Sequence, residues 1–294
     1  MYTYAAYGLK IHSEIQLETL ATGSLSADIR VRRAHVTRPS ELSARVTWTT
    51  PSDIFFRFDN IGVIQVSGGA EIVVDADGVD DRTAGLFVVG PALGALLHQR
   101  GLLVLHASAV ATNGGVVAFL GHSGWGKSTM AGAMVKLGYN AFSDDLLPVS
   151  HSGSVPLALP GYPFLKLGQD SGAMLGYEIA ASAMALPDDN RWHVAVEGVD
   201  PYVPLPLARL YVLAEGDGPE IERLKPQHAA VELIRHSYAS PCLEASGMSA
   251  FHLQSCARLV DRLPISRLRR PRRLNLLQDV AELVQRDLES GGKS

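Results

Sequence analysis

Residues 121–128 read Gly-His-Ser-Gly-Trp-Gly-Lys-Ser and directly follow an apolar run at 116–120. Four fixed positions match the pattern G-x-x-x-x-G-K-[ST], whose backbone N–H groups surround an anion between a strand and a helix. The segment 128–137 that follows is predicted to be helical and to end at Gly138. The sequence therefore predicts a strand, a phosphate-binding loop and a helix in that order.

Each fixed position of the loop has a physical reason. Gly121, Gly124 and Gly126 permit positive φ, so that successive N–H groups can turn toward the anion. Lys127 is placed to reach the β- and γ-phosphates of ATP, and the Ser128 hydroxyl is placed to ligate Mg²⁺. The alternative is a Gly-rich turn that only joins the strand to the helix. The predicted nucleotide contacts are Gly121, His122, Ser123, Gly124, Trp125, Gly126, Lys127, Ser128 and Thr129.

The overall composition excludes several classes of protein. The chain has 294 residues, of which 47% are hydrophobic and 19% are charged, and its net charge is −4. These values are typical of a soluble globular protein, and nothing in them indicates a nucleic acid or a membrane as partner. Cys242 and Cys256 have no metal-ligand spacing, and the N-terminus has no secretion signal. We therefore expect a cytoplasmic protein with reduced thiols.

A basic stretch near the C-terminus is the local exception to this charge balance. Six arginines lie within residues 262–273: Arg262, Arg267, Arg269, Arg270, Arg272 and Arg273. Such a run is typical of a solvated surface or of charge beside a helix, but it can also dock an acidic peptide or a phosphate. The sequence leaves both interpretations open.

The pattern of apolar residues divides the chain into two regions. Residues 1–82 read as a small β-rich N-terminal domain, and residues 83–294 read as an α/β domain that carries the phosphate-binding loop. In the first region, strands are predicted at 27–32, 53–58 and 62–66. In the second region we predict a helix at 83–100, strands at 102–111, 116–120, 139–142, 157–159 and 207–213, a hairpin turn at 112–115, and helices at 128–137, 227–238, 248–263 and 275–288.

Two carboxylates, Asp144 and Asp145, follow the predicted strand at 139–142. In phosphoryl transfer, one carboxylate can hold Mg²⁺ while the other orients an attacking hydroxyl and accepts its proton. The alternative is that the pair caps a turn. His106 lies on the predicted strand before the hairpin, where a lone histidine is more often a satisfied core residue than a catalytic one.

Together, His106, the loop and Ser143-Asp144-Asp145 resemble the catalytic core of bacterial HPr kinase/phosphorylases. In that family a histidine lies twenty-one residues before the loop lysine, and an aspartate pair ends seventeen residues after the loop serine. Here His106 lies the same distance before Lys127, and Asp145 lies the same distance after Ser128. The resemblance covers roughly residues 100–150. It implies an α/β fold in which a P-loop catalytic domain, of the HPr kinase C-terminal type, follows a small β-rich domain.

The resemblance implies a role for each matching residue. Asp145 corresponds to the proton acceptor for the target serine, and His106 corresponds to an active-site histidine. Lys127 corresponds to the phosphate-binding lysine. Ser128 corresponds to the Mg²⁺-binding serine, and Asp144 is a second candidate ligand for the same ion.

Two further positions come from the later part of the chain. Arg191, ahead of the Val-Pro-Leu-Pro stretch at 203–206, resembles the late active-site arginine of that family. The family's Mg²⁺-binding segment Glu-Ile-Arg-Gly is absent, and the corresponding region here is 163–170. Within it, Asp170 is the residue that would replace the missing metal ligand. This departure leaves a phosphorylase activity and HPr as a partner open.

The layout resembles a divergent branch of HPr-kinase-like proteins, on the segments Leu-Leu-His-Gln-Arg-Gly at 96–101 and Leu-His-Ala-Ser-Ala-Val at 105–110. Members of that branch are associated with ribosomal peptide tailoring, including kinases that act on lasso-peptide precursors. The resemblance implies an ATP- and Mg²⁺-dependent kinase that phosphorylates a serine of a protein or precursor peptide and can form homo-oligomers. The alternatives are a carboxykinase-like phosphotransferase acting on a small molecule and a nucleotide-sensing binding module.

Overall fold

The computed structural model describes residues 1–17, 20–22, 27–37, 47–59, 61–177, 184–185, 191–238 and 247–291. Within these ranges the chain is a mixed α/β structure with sheets of eight, nine and three strands. None of the described helices is long and apolar enough to cross a membrane. Cys256 is a buried free thiol, whereas Cys242 lies outside the described residues.

The first sheet is built from the N-terminal part of the chain. Its strands are β1 (Tyr2–Ala6), β2 (Leu9–Ser13), β3 (Ala21–Thr22), β4 (Ile29–Arg33), β5 (Thr47–Thr49), β6 (Asp53–Phe58), β7 (Gly62–Ser67) and β8 (Glu71–Asp75). They are ordered β3-β1-β2-β4-β8-β7-β6-β5, and only the pairs β2–β4 and β4–β8 are parallel among these described strands. The three strands predicted here are confirmed as β4, β6 and β7. In β4 the predicted alternation is clear, because Ile29 and Val31 are buried whereas Arg30 and Arg32 are exposed.

The helix predicted at 83–100 is present, but it is not one regular helix. It consists of α1 (Asp81–Phe87), a π-helical turn (Val88–Ala92) and α2 (Leu93–Gln99). Pro91 lies inside the π-helical turn, and because proline has no N–H to donate, the regular hydrogen-bond pattern is interrupted there. Asp80 caps α1 by accepting a hydrogen bond from the Thr83 N–H at 2.9 Å.

This helical segment packs beneath the first sheet. Its residues Val89 and Leu96 belong to the same hydrophobic cluster as Ile64 of β7. The cluster also includes Leu146 and Tyr162 from further along the chain. The core of the first sheet therefore does not stop at residue 82, and the domain division predicted there stays a prediction.

The rest of the chain supplies the second and third sheets. The strands are β9 (Leu103–Leu105), β10 (Ala107–Thr112), β11 (Gly115–Leu120), β12 (Asn140–Ser143), β13 (Leu147–Ser150), β14 (Leu157–Ala158), β15 (Phe164–Gly168), β16 (Met184–Ala185), β17 (Arg191–Ala195), β18 (Leu205–Glu215), β19 (Glu220–Arg223) and β20 (Ile265–Arg270). The second sheet runs β12-β10-β11-β18-β14-β13-β9, and β20 joins it by pairing with β18 and β19. In the third sheet, β17 lies between β15 and β16.

The hairpin before the loop is confirmed, since β10 and β11 are antiparallel and joined by the two residues Asn113 and Gly114. The prediction of a single strand at 102–111 is wrong, because the chain forms β9 and β10 with His106 between them. β9 pairs with β13, whereas β10 pairs with β11 and β12. The His106 N–H donates to the His236 carbonyl at 2.7 Å, and this bond to a distant segment interrupts the strand.

Helices cover both faces of the second sheet. They are α3 (Lys127–Lys136), α4 (Gln169–Met174), α5 (Pro226–Arg235), α6 (Ser249–Arg262) and α7 (Leu277–Gly291), the last preceded by a 3-10 turn (Leu274–Leu276). Val116, Ala118 and Leu120 of β11 pack in one cluster with α5 and α6. Val117 and Phe119 pack in another cluster with α3 and α7. The four helices predicted in this region are confirmed to within a few residues at each end.

Candidate active site

The loop between β11 and α3 has the predicted positive φ at two of its three glycines, whereas Gly121 does not adopt one. Gly124 and Gly126 have φ values of 75° and 82°, in the left-handed region that favours glycine. Gly126 is the N-cap of α3 and makes no side-chain cap hydrogen bond. No capping side chain therefore competes for the first N–H groups of α3, and with the helix dipole they favour an anion at this position.

Lys127 lies buried inside the loop. Its Nζ donates to the carbonyls of Gly121 at 3.0 Å and His122 at 3.3 Å. Burial lowers the pKa of Lys127, and the nearby Asp145 and Asp144 carboxylates counteract part of that shift. An ammonium held by neutral carbonyls can exchange them for phosphate oxygens, which are charged acceptors and form stronger hydrogen bonds.

Asp144 is buried and connects the loop to the neighbouring strands. Its Oδ1 accepts hydrogen bonds from Ser108 Oγ and, at 2.9 Å, from Ser128 Oγ. Its Oδ2 accepts from the Lys166 backbone N–H at 2.7 Å. Burial raises the pKa of Asp144, and the charge of Asp145 raises it further. Two of the three predicted metal ligands, Ser128 and Asp144, are therefore in direct contact.

The Ser128 hydroxyl and the Asp144 carboxylate fit a hard divalent cation. Mg²⁺ takes oxygen ligands and usually binds through one or two protein groups together with water and substrate phosphates. Within the described ranges, no group of three or more His, Cys, Asp or Glu side chains could hold a metal ion. A cation at Ser128 and Asp144 would therefore need water and phosphate oxygens to complete its shell.

Asp145 differs from Asp144 in conformation and in surroundings. Its φ of 69° is left-handed, and Tyr7 is the only other described non-glycine residue with a positive φ. Its carboxylate contacts Lys166 Nζ, and Oδ1 lies 3.5 Å from His106 Nε2. Burial by itself would raise the pKa of Asp145, but the His106 hydrogen bond and the Lys166 charge lower it overall. Asp145 is therefore an ionised carboxylate at neutral pH.

The two carboxylates also differ in accessibility. Asp144 is 1% exposed, whereas 20% of the Asp145 side chain and 33% of the His106 side chain are exposed. An incoming acceptor group can therefore reach Asp145 and His106 more readily than Asp144. This difference suits a buried cation ligand beside an accessible proton acceptor.

Lys166, on β15, is a site residue that the sequence analysis did not identify. The flanking Leu165 and Leu167 are buried, so Lys166 is a charged position between two core positions. That alternation within 163–170 is the signal that would have found it. The predicted Arg191 begins β17, which pairs with β15, and its charge acts on Lys127. Arg191 is thus close enough to Lys127 for the two charges to interact, and its role as an active-site arginine stays a prediction.

Part of the C-terminal basic stretch is ion-paired on the surface. The structure shows that the stretch contains β20, a strand that the sequence analysis did not predict. On β20, Arg267 lies 3.7 Å from Glu222 and 3.6 Å from Glu232, and Arg269 lies 3.5 Å from Glu222. This half of the stretch fits the interpretation as a solvated surface.

The other part of the basic stretch contacts the phosphate-binding loop. Arg270 Nη2 donates to the Trp125 carbonyl at 2.5 Å, and Arg272 Nη2 donates to the Gly124 carbonyl at 2.9 Å. Both arginines therefore bind the loop through hydrogen bonds to its backbone carbonyls. Neither interpretation made from the sequence included this contact.

The remaining predicted contacts lie around the loop. His122 and Ser123 are exposed, and the rings of His122 and Trp125 meet edge to face at 5.8 Å between centroids. Thr129 is half-buried in the first turn of α3. Asp170 is exposed on α4 and lines a cavity with Thr129, so its role as a metal ligand stays a prediction.

Comparison with known proteins adds little to this geometry. No protein-family model matches the chain, and no curated protein matches it. Among solved structures, the HPr(Ser) kinase/phosphatase from Coxiella burnetii matches with 9% sequence identity and a TM-score of 0.34. The match covers 64% of this chain and 94% of that one.

Proposed function

We propose that the chain is an ATP- and Mg²⁺-dependent kinase that transfers the γ-phosphate to a serine hydroxyl of a protein or ribosomal precursor peptide. The observation that supports this most is that two neighbouring carboxylates differ in burial and in contacts. Asp144 is buried against Ser128 of the phosphate-binding loop. Asp145 is ionised, accessible and close to His106. Phosphoryl transfer needs both kinds of group.

The loop would hold the phosphate chain of ATP. Its glycines and the first turn of α3 direct N–H groups at the anion. Lys127 would leave the carbonyls of Gly121 and His122 and bind oxygens of the β- and γ-phosphates. Ser128 and Asp144 would hold Mg²⁺, which when bound neutralises negative charge on the transferred group.

Asp145 would orient the acceptor hydroxyl. The serine Oγ–H proton passes to a carboxylate oxygen of Asp145 as the bond from Oγ to the γ-phosphorus forms. The bond from that phosphorus to the β–γ bridging oxygen breaks, and ADP leaves. A carboxylate with a lowered pKa is a weak base, which suffices because a loose transition state requires little proton transfer before the phosphoryl group moves. His106 and Lys166 keep the carboxylate ionised and fixed in position.

The identity of the acceptor and the oligomeric state are also proposed, on the basis of the resemblance described above. We propose a serine-bearing peptide of the lasso-precursor type as acceptor, a cytoplasmic location and possible homo-oligomers. A nucleotide-sensing module would need the loop, but it would have no use for an accessible, ionised Asp145 beside it. A carboxykinase-like enzyme would share the loop and differ in its acceptor, so the assay must vary the acceptor.

The test is transfer from Mg·ATP to serine-containing precursor peptides, followed by mass spectrometry for one added phosphoryl group per modified serine. Lys127→Ala is expected to lose both nucleotide binding and transfer. Asp145→Asn is expected to keep nucleotide binding and to slow transfer by about 10²–10⁴-fold. Asp59→Asn is the matched control, since Asp59 follows β6 of the first sheet and 91% of its side chain is exposed. Undiminished transfer by Asp145→Asn would contradict the proposal.

A further inference from the structure

A cavity of about 530 Å³ opens beside the phosphate-binding loop. Its volume lies within the usual range for small-molecule sites, ~300–1,000 Å³. Its walls come from the loop, the first turn of α3, the start of α4, β17 and the segment after β20. The residues that matter for its chemistry are Trp125, Thr129, Asp170, Trp192, Arg270 and Arg272.

The cavity and the acidic pair contact different residues of the loop and of α3. Ser128 contacts Asp144, whereas Gly126 and Thr129 line the cavity, and neither Asp144 nor Asp145 does. A nucleotide whose terminal phosphate lies beside Asp145 must place its remainder elsewhere along the loop. The cavity borders the loop without including the acidic pair, so it offers space for that remainder.

Arg270 and Arg272 have no carboxylate partner in the described part of the chain. Both donate to loop carbonyls, and the buried Nε of Arg270 has no hydrogen-bond partner among the described residues. Burial lowers the pKa of Arg270, and the charge of Arg272 lowers it further. Two neighbouring cations that line the cavity are therefore left without an anion, and phosphate oxygens would supply one.

Two indole rings supply flat apolar faces in the same cavity. Trp125 comes from the loop, and the guanidinium of Arg272 lies 5.9 Å from its ring centroid. Trp192 comes from β17. Aromatic faces of this kind bind nucleobases by stacking. The exposed Asp170 carboxylate can only accept hydrogen bonds, and ribose hydroxyls are suitable donors.

We infer that this cavity binds the nucleoside end of a purine nucleotide, an inference that rests on the proposed function. Arg270 and Arg272 bind the phosphate oxygens nearest the ribose. Trp125 and Trp192 stack with the base, and a purine is favoured because its larger π-surface covers more of two indoles. Asp170 accepts hydrogen bonds from the ribose instead of ligating the metal.

The experiment measures calorimetric binding of Mg·ATP, Mg·CTP and Mg·tripolyphosphate to the full chain. Tripolyphosphate is the probe that keeps the phosphates and lacks the nucleoside. The wild-type protein is expected to bind ATP more tightly than CTP, and CTP more tightly than tripolyphosphate. Trp192→Leu is expected to weaken ATP binding about tenfold, the typical effect of one stacked aromatic, without changing tripolyphosphate binding. Arg272→Ala is expected to weaken both ligands, whereas the exposed Arg286→Ala on α7 changes neither.

The outcomes separate this inference from the proposed function. If tripolyphosphate binds as tightly as ATP to the wild-type protein, the cavity holds no nucleoside and the inference is overturned while the loop assignment stands. An equal loss of both ligands in Trp192→Leu also overturns it. If Lys127→Ala leaves tripolyphosphate binding unchanged, the loop is not the phosphate site and the proposed function itself fails. The wild-type comparison needs no variant, so a misfolded variant cannot obscure the result.

Discussion

Asp144 and Asp145 are neighbours in sequence, yet their carboxylates have opposite surroundings. Asp145 follows the end of β12 with a positive φ, and its side chain contacts His106 and Lys166. Aspartate tolerates this conformation better than most residues, at a cost of about 1 kcal/mol. Backbone strain of this kind is typical of functional sites, where the surrounding contacts maintain it. It allows one dipeptide to supply both a buried and an accessible carboxylate.

The charge of Lys166 should determine the pH below which the transfer rate falls. In the wild-type protein the pKa of Asp145 is low, so its protonation does not limit the transfer rate at about pH 5. Replacing Lys166 by Met removes a cation that lowers this pKa, so the rate is expected to begin falling at a higher pH. The measurement is a pH–rate profile from about pH 4.5 to 8. Lys136→Met removes a lysine that lies over the Tyr177 ring instead, and its profile should match the wild type. Identical acidic limbs in Lys166→Met and the wild type would refute this role.

At the scale of elements, helix α3 is flanked by two glycines with positive φ that differ in their surroundings. A Cβ at Gly126 would lie 2.7 Å from Arg270 Nη2, whereas a Cβ at Gly138 would have nothing within 4 Å. Their φ values are 82° and 94°, so both positions resist substitution for the same backbone reason. Only at Gly126 would an added Cβ also contact Arg270, the arginine that binds the loop.

We therefore expect the two Gly→Ala variants to separate stability from binding. Each should lose about 1–2 kcal/mol of unfolding free energy, because alanine is disfavoured at positive φ. Gly126→Ala should in addition weaken nucleotide binding, since the new methyl group displaces Arg270 and distorts the loop. Urea unfolding and calorimetric titration with Mg·ATP measure the two effects. Equal nucleotide affinities in Gly126→Ala and Gly138→Ala would show that the Arg270 contact does not shape the loop.

Elements whose determinants are local were predictable from the sequence. The strand, loop and helix at β11–α3 follow from one motif, and the turn at Asn113 follows from a two-residue signal. The break at His106 was not predictable, because the residues on both sides are apolar and the interruption depends on a bond to His236. The alternation of Lys166 with Leu165 and Leu167 is a local signal, but its pairing with Asp145, twenty-one residues away, could not be predicted. Local patterns specify elements, but these site contacts arise only in the folded chain.

At the scale of the whole molecule, the first hairpin of the chain contacts segments that are far from it in sequence. Between β1 and β2, the Tyr7 N–H donates to the Pro160 carbonyl at 2.7 Å, and the Gly8 N–H donates to the Pro201 carbonyl at 2.9 Å. Tyr7 is fully buried with a φ of 57°, and its hydroxyl has no hydrogen-bond partner among the described residues. A bulky residue in this conformation requires strong packing around its ring.

Substitutions at two tyrosines test whether Tyr7 stabilises the fold through its ring alone. Tyr7→Phe should leave the free energy of unfolding unchanged or increase it, because it removes an unsatisfied buried hydroxyl. Tyr7→Ala should lower it by about 3–5 kcal/mol through the cavity it creates. The control is Tyr4→Phe, since the Tyr4 hydroxyl accepts a hydrogen bond from the Leu17 N–H at 2.8 Å and its loss should cost about 1–3 kcal/mol. Chemical denaturation measures all three, and a clear loss of stability in Tyr7→Phe would contradict this assignment.

Two buried histidines should make the whole fold sensitive to acid. His98 Nε2 lies 2.7 Å from the Tyr238 carbonyl, and His236 packs against the loop histidine His122. Burial lowers the pKa of both His98 and His236 from 6.5 to about 4. Below pH 6.5 the unfolded chain takes up protons that the folded chain does not, so the free energy of unfolding should fall steadily from about pH 6.5 to about pH 4. For His98 alone the loss can reach about 3 kcal/mol.

Urea unfolding at several pH values between about 7.5 and 4.5 measures this dependence. His98→Gln keeps a side-chain donor for the Tyr238 carbonyl but cannot titrate, so its stability should vary less with pH than that of the wild type. His228→Gln, at an exposed position on α5, should reproduce the wild-type dependence. Stability that is constant across this interval would mean that the buried imidazoles accept protons without unfolding the chain. An unchanged pH dependence in His98→Gln would instead assign the acid sensitivity to other groups.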